Sequence, residues 1–83
     1  MYQVIGERIN VVGVYKKAHF IPRKFEWQGR IYAVDRVTFI SEIRDSQISK
    51  RQYSVMSQGN NYRLIFDRSE EIWELAEVWC EWT

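Results

Sequence analysis

Lys24-Phe25-Glu26-Trp27-Gln28-Gly29-Arg30-Ile31-Tyr32-Ala33-Val34 reads as two short strands folded about a tight turn. Aromatic and β-branched residues gather on both sides of Gln28-Gly29, and continue to Phe39 on the second side. The glycine supplies the positive φ that a tight hairpin turn demands. Two registers satisfy the pattern. A two-residue turn sets Phe25 opposite Tyr32, whereas a type I turn closed by a glycine bulge sets Glu26 opposite Arg30.

The same period of two recurs on either side of this hairpin. Tyr53 and Val55 alternate towards Gln58-Gly59-Asn60-Asn61, a strong turn, and Tyr62, Leu64 and Phe66 alternate away from it. Upstream, Ile9, Val11, Gly13 and Tyr15 share one face while Val12 and Val14 hold the other. That strand is therefore central or crosses a barrel, and Gly13 marks a bend or a close backbone approach. Lys16 to Lys24 reads as a loop by its charges and by Pro22, which forces Ile21 into an extended conformation. Ser41 to Gln52, with Asp45-Ser46 near its centre, suits a connecting loop or the ends of two strands joined by a long turn.

The C-terminal segment supports two readings. Asp67 with Glu70 three residues later has the form of a helix capping box, and Ile72, Leu75, Ala76 and Trp79 would line one helical face. As a strand, Trp73, Leu75, Glu77 and Trp79 share a face, and Ile72, Ala76, Val78 and Trp82 fall on the other. The expected fold is thus a mostly β, small antiparallel barrel-like or strongly curved sheet of five to six strands, with a C-terminal helix as the open alternative.

The chain of 83 residues holds a single core and no second domain, so residues 1–83 read as one unit. Its 16% aromatic content gives that core large side chains to bury, which argues against disorder. One cysteine, Cys80, excludes an intramolecular disulfide and favours a reducing, cytoplasmic setting. No apolar run approaches the roughly 20 residues that span a bilayer, and no signal-peptide pattern opens the chain, so no membrane association is expected. Charge is uneven along the sequence. Residues 1–30 carry six bases and two acids, residues 59–83 two bases and six acids. The asymmetry either steers a partner or is neutralised where opposite-signed strands lie side by side.

Few enzymatic constellations are available to this composition. His19 and Cys80 are the only residues of their kinds and lie far apart in sequence, and structural zinc needs about four such ligands. The four glycines are scattered, so no phosphate-cradling loop forms. Glu70, Glu71, Glu74, Glu77 and Glu81 lack a calcium-loop spacing and read as a solvated face. No catalytic residue, metal site or cofactor is expected. What remains is a basic and aromatic stretch: Lys16, Lys17, His19, Phe20, Arg23, Lys24, Phe25, Trp27 and Arg30. Its cations suit phosphates and its rings suit unpaired bases, and Lys16, Lys17, Arg23, Lys24, Trp27 and Arg30 are the candidate binding residues. The same residues also suit a structural role, with rings in the core and cations in solvent. For Arg30 this means pairing with Glu26 or stacking on Trp27 in place of a phosphate.

Pro22, Phe25, Trp27, Gly29, Arg30, Tyr32 and Val34 follow a pattern that resembles a family of short bacterial proteins forming a domain of unknown function. Tyr53 and Val55, Tyr62 to Asp67, and Trp73, Leu75, Val78 and Trp79 extend the resemblance over roughly residues 20–80. The aromatic and Gly-Arg spacing is also similar to a C-terminal segment of the inactive Y-family polymerase homologue of translesion mutasomes. The resemblance implies a β scaffold and a link to DNA-damage tolerance. Ser69-Glu70-Glu71-Ile72 departs from the family's short turn before its final tryptophan. The functional expectation is a non-enzymatic interaction module for a protein partner or single-stranded nucleic acid. Its rival is a structural homo-oligomer, such as a homodimer, built through unpaired strand edges.

Overall fold

The computed structural model describes residues 1–45 and 48–80, which form seven antiparallel strands. They are β1 (Tyr2–Lys16), β2 (His19–Trp27), β3 (Arg30–Ala33), β4 (Arg36–Asp45), β5 (Ile48–Ser57), β6 (Asn60–Asp67) and β7 (Ile72–Trp79). The sheet order is β3-β2-β1-β7-β6-β5-β4. The class is as expected and the strand count is higher, because Arg30 to Phe39 is not one strand but two, β3 and β4, broken at Val34-Asp35. Lys16 to Lys24, read as a loop, is mostly strand. Lys17-Ala18 alone turns β1 into β2, both residues adopting positive φ, so His19 to Trp27 pairs along β1. Pro22 fits because the register shifts beside it and Arg23 is the extra residue, a place where a missing N–H costs no ladder bond. The Ser41 to Gln52 stretch is the ends of two strands, with Asp45 opposite Ile48; Ser46 lies outside the described residues.

Gln28-Gly29 and Gln58-Gly59 also take paired positive φ values, the signature of two-residue hairpin turns. This choice fixes the register of the first hairpin, with Phe25 opposite Tyr32 and Trp27 opposite Arg30. The two rings stack at 5.0 Å and 7° between planes.

Residues 72–79 are strand, which removes the helix. The capping signal is nonetheless physical: Asp67 Oδ1 accepts from the backbone N–H of Ser69 at 2.9 Å and of Glu70 at 3.3 Å, and the Asp67 carbonyl accepts from Glu71 at 2.7 Å. That single turn stops where Glu71 enters a positive φ of 58°. The helix-like spacing beyond it comes from a bulge. Leu64 faces Leu75 and Arg63 faces Glu77, so Ala76 is an extra residue and Leu75 and Val78 both point inward three positions apart. Trp82 and Glu81 lie outside the described residues.

β1 changes partner along its length. Tyr2 to Ile9 pair with β7 and Asn10 to Lys16 with β2, so one strand carries the sheet around a corner. Inside the curl lie Ile9, Phe25, Tyr32, Tyr53, Val55, Tyr62, Leu64, Leu75 and Val78, all buried. Gly13 lets β1 and β2 come close, since a Cβ there would lie 2.2 Å from the Ile21 carbonyl oxygen and 2.6 Å from Phe20 Cζ. The basic and acidic ends of the sequence meet as neighbouring strands, Arg8 facing Glu74 across β1 and β7. On the same outer surface Arg63 bridges Glu77 at 2.8 Å.

β3 and β4 are consecutive in sequence yet occupy opposite edges of the sheet. Val34 and Asp35 span them, Val34 N–H donating to the Arg23 carbonyl and Asp35 N–H to the Met56 carbonyl, each at 2.8 Å. The sheet is therefore a half-barrel pinned at one end of its seam. Beyond the pin β3 stops, leaving the first half of β2 and the outer edge of β4 facing each other unpaired.

Gly13→Ala should destabilise the fold by about 1–3 kcal/mol through overpacking, a fall in melting temperature of roughly 4–8 °C per kcal/mol in thermal denaturation. An unchanged melting temperature would show that β1 and β2 do not approach this closely.

Candidate functional site

The six residues singled out from sequence do not form one site. Lys16 and Lys17 are exposed at the β1–β2 turn, Arg23 and Lys24 are exposed midway along β2, and Trp27 and Arg30 stand at its far end. At about 3.4 Å per residue the nine-residue strand holds these ends roughly 27 Å apart. Trp27 is half-buried, its Nε1 donating to Glu7 Oε1 at 3.1 Å, and the Arg30 guanidinium lies 5.7 Å from the Tyr32 ring centre. Glu26 faces Ile31, and its carboxylate accepts from Asn10 Nδ2 at 3.2 Å, so the hairpin does not pair it with Arg30.

Two aromatic clusters fill opposite ends of the half-barrel. One is sealed: Phe25, Tyr32 and Tyr62 lie within 5.0–5.6 Å of one another and are all buried. Burial pushes the Tyr62 phenol above its usual value, since a phenolate there would lose its water. The other cluster is open. Trp73 sits against Phe66 at 4.9 Å, Tyr53 at 5.4 Å and Phe20 at 5.6 Å, and Tyr15 meets Phe20 edge-on at 5.3 Å. Tyr15 remains 79% exposed.

These rings surround a cavity of about 210 Å³ that Arg51 and Arg68 also line. Its position follows from strand register. Arg51, Phe66 and Trp73 lie abreast on β5, β6 and β7, one inward row beyond Tyr53, Leu64 and Leu75, so a guanidinium occupies the place where the next core residue would stand. Glu42 answers both cations. Its Oε1 accepts from Arg51 Nη2 at 2.6 Å and Nε at 2.9 Å, and its Oε2 lies 3.4 Å from Arg68 Nη1. The Arg51 hydrogen bond holds the Glu42 carboxyl below the usual carboxylate range, with help from the charges of Arg51, Arg68 and Arg44. Lys16 and Lys17 add two more cations at the adjoining turn. A second cleft of about 390 Å³ continues from Phe20 and Arg51 into the open seam, lined by His19 on β2 and Ile40 to Glu42 on β4.

The mouth therefore offers one exposed ring, Tyr15, and the half-buried rings of Phe20, Phe66 and Trp73 beside guanidinium and ammonium groups. Arg51 was legible in principle, because it stands in phase with Tyr53 and Val55 where an apolar residue is due; Arg68 and Trp73 reach the mouth only through the fold. Among the described residues no three His, Cys, Asp or Glu side chains converge as metal ligands, and no helix is long and apolar enough to cross a membrane. Comparison with known proteins returns no matching family model, no matching curated protein and no matching solved structure.

A folded-state value below the unfolded one means that the Glu42 pairing contributes stability above the unfolded pKa, near 4.3, and loses it as pH falls through the folded value. In a carboxyl-detected NMR titration Glu42 should titrate below 4.3 and move upward in Arg51→Gln. An unmoved midpoint would remove Arg51 as the cause.

Proposed function

We propose that this chain is a non-enzymatic binding module that holds single-stranded nucleic acid at the open aromatic mouth. The observation that carries this reading is the meeting of Arg51 and Arg68 with the exposed ring of Tyr15 and the half-buried rings behind it at one end of the barrel. Every base has a face that stacks on an aromatic ring, and every nucleotide has a phosphate that a cation neutralises. Tyr15 provides the accessible ring. Lys16, Lys17 and Arg68 provide charges around it, within reach of a backbone that passes over the ring. Arg23 and Lys24 extend the basic track along β2, whereas Trp27 and Arg30 belong to the sealed end and serve packing.

The resemblance to a mutasome segment supports a setting in DNA-damage tolerance, and the single free cysteine suits a reducing cytoplasm. Catalysis is not part of the proposal, because the mouth holds no nucleophile paired with a base.

Fluorescence anisotropy with a labelled oligothymidylate tests the proposal. Affinity should fall steeply with salt, with a logarithmic slope near −0.7 for each phosphate contacted. Tyr15→Ala should weaken binding by about 1–3 kcal/mol, and Arg68→Gln should flatten the salt slope by about 0.7. Arg30→Gln should leave both unchanged. Absence of binding at low salt, or equal losses in Arg68→Gln and Arg30→Gln, would overturn it.

A further inference from the structure

We propose that the outer edge of β4 is a self-pairing surface, through which two copies of this chain associate about a two-fold axis with Ser41 facing Ser41 of the second copy. The edge borders the seam cleft that continues from the aromatic mouth, but the inference does not rest on nucleic-acid binding there.

β4 pairs with β5 alone, so its other edge presents unpaired backbone groups, the feature by which strands recruit further strands. The strand also carries two large apolar side chains that the monomer leaves in solvent: Phe39 is 57% and Ile40 45% exposed, on opposite faces of the sheet. A strand added along this edge covers both at once.

The sequence of β4 selects the partner and the register. Thr38 is an extra residue between Val37, opposite Val55, and Phe39, opposite Ser54, so the regular edge begins at Phe39. Asp45 and Ile48 pair with only two residues between them in the chain, which makes them a hydrogen-bonded pair and leaves free backbone groups alternating on Arg44, Glu42 and Ile40. A second β4 running antiparallel can meet these groups with its two-fold axis at any residue from Ile40 to Arg44. Centring on Arg44 sets two guanidinium groups opposite, and centring on Ile43 leaves Phe39 and Ile40 with no β4 residue opposite them. Centring on Glu42 sets two carboxylates directly opposite, and centring on Ile40 sets Arg36 opposite Arg44 and reaches across the bulge; like charges so placed are destabilising. Centring on Ser41 opposes no like charges. Phe39 then meets Ile43 of the second copy on the outer face, twice by symmetry. Ile40 meets the stem of Glu42, whose carboxylate is already neutralised by Arg51 and Arg68.

Pairing along one edge covers much less than the roughly 1,600 Å² of a standard stable interface, so the dimer is weak and concentration-dependent. Cross-linking reads such a state directly. Residues opposed in a non-hydrogen-bonded antiparallel pair have Cα atoms about 4.5 Å apart, within disulfide range, while diagonal neighbours lie about 7–8 Å apart and outside it. Under mild oxidation at high protein concentration, Ser41→Cys should give a dimer whose disulfide maps to position 41 by peptide mass spectrometry. Ile40→Cys and Ser54→Cys should not, with Cys80 present throughout as the background. Adding Phe39→Lys to Ser41→Cys should reduce the yield about fivefold or more, because the axis repeats the loss at two pairs. Absence of the position-41 dimer, equal cross-linking of Ile40→Cys, or indifference to Phe39→Lys would each overturn the proposal.

Discussion

Two residues, Val34 and Asp35, join strands that sit on opposite edges of a seven-stranded sheet, and this is possible only if the sheet curls until those edges meet. Their backbone donors lock the curl, one to β2 at Arg23 and one to β5 at Met56. The devices that permit such curvature lie elsewhere in the chain. β1 changes partner at Ile9 and Asn10, extra residues enter at Ala76, Arg23 and Thr38, and Gly13 lets two backbones close to a distance that any side chain would prevent. Because the seam is pinned at one end, it opens at the other. The aromatic mouth and the free edge of β4 are both consequences of that asymmetry.

The parts of the fold legible in sequence were those encoded within a few residues. Gln28-Gly29 and Gln58-Gly59 announce their turns, and alternation around them gives the strands and, once the turn type is known, the register. Lys17-Ala18 makes the same kind of turn without glycine, asparagine or aspartate, so nothing local marks it and the flanking charges read as a loop. β7 misleads for a different reason: inserting Ala76 converts a spacing of two into a spacing of three between Leu75 and Val78, which is the helical interval. Asp67 adds a genuine capped turn just before it. A bulge and a helix are told apart only by what the strand packs against.

The candidate site obeys the same division. A contiguous basic and aromatic stretch is visible in sequence, but β geometry spreads it along some 27 Å and turns alternate residues to opposite faces. Only its first part comes to the mouth, Lys16 and Lys17 at the adjoining turn and Phe20 in the wall, where it joins Arg51, Arg68, Phe66 and Trp73 from strands and a turn 30 or more residues later. The sealed and open clusters show how little ring chemistry decides by itself. Phe25, Tyr32 and Tyr62 serve the core, whereas Tyr15, with a ring of the same kind, stands in solvent beside cations.

The most direct measurement is a map of backbone amide shifts as an unlabelled oligothymidylate is titrated into the isotopically labelled chain. Perturbations centred on Tyr15 to Phe20, Arg51, Phe66 to Arg68 and Trp73 are what a ligand held at the open mouth produces. Perturbations centred on Trp27 and Arg30, or no perturbation at low salt, would contradict the account.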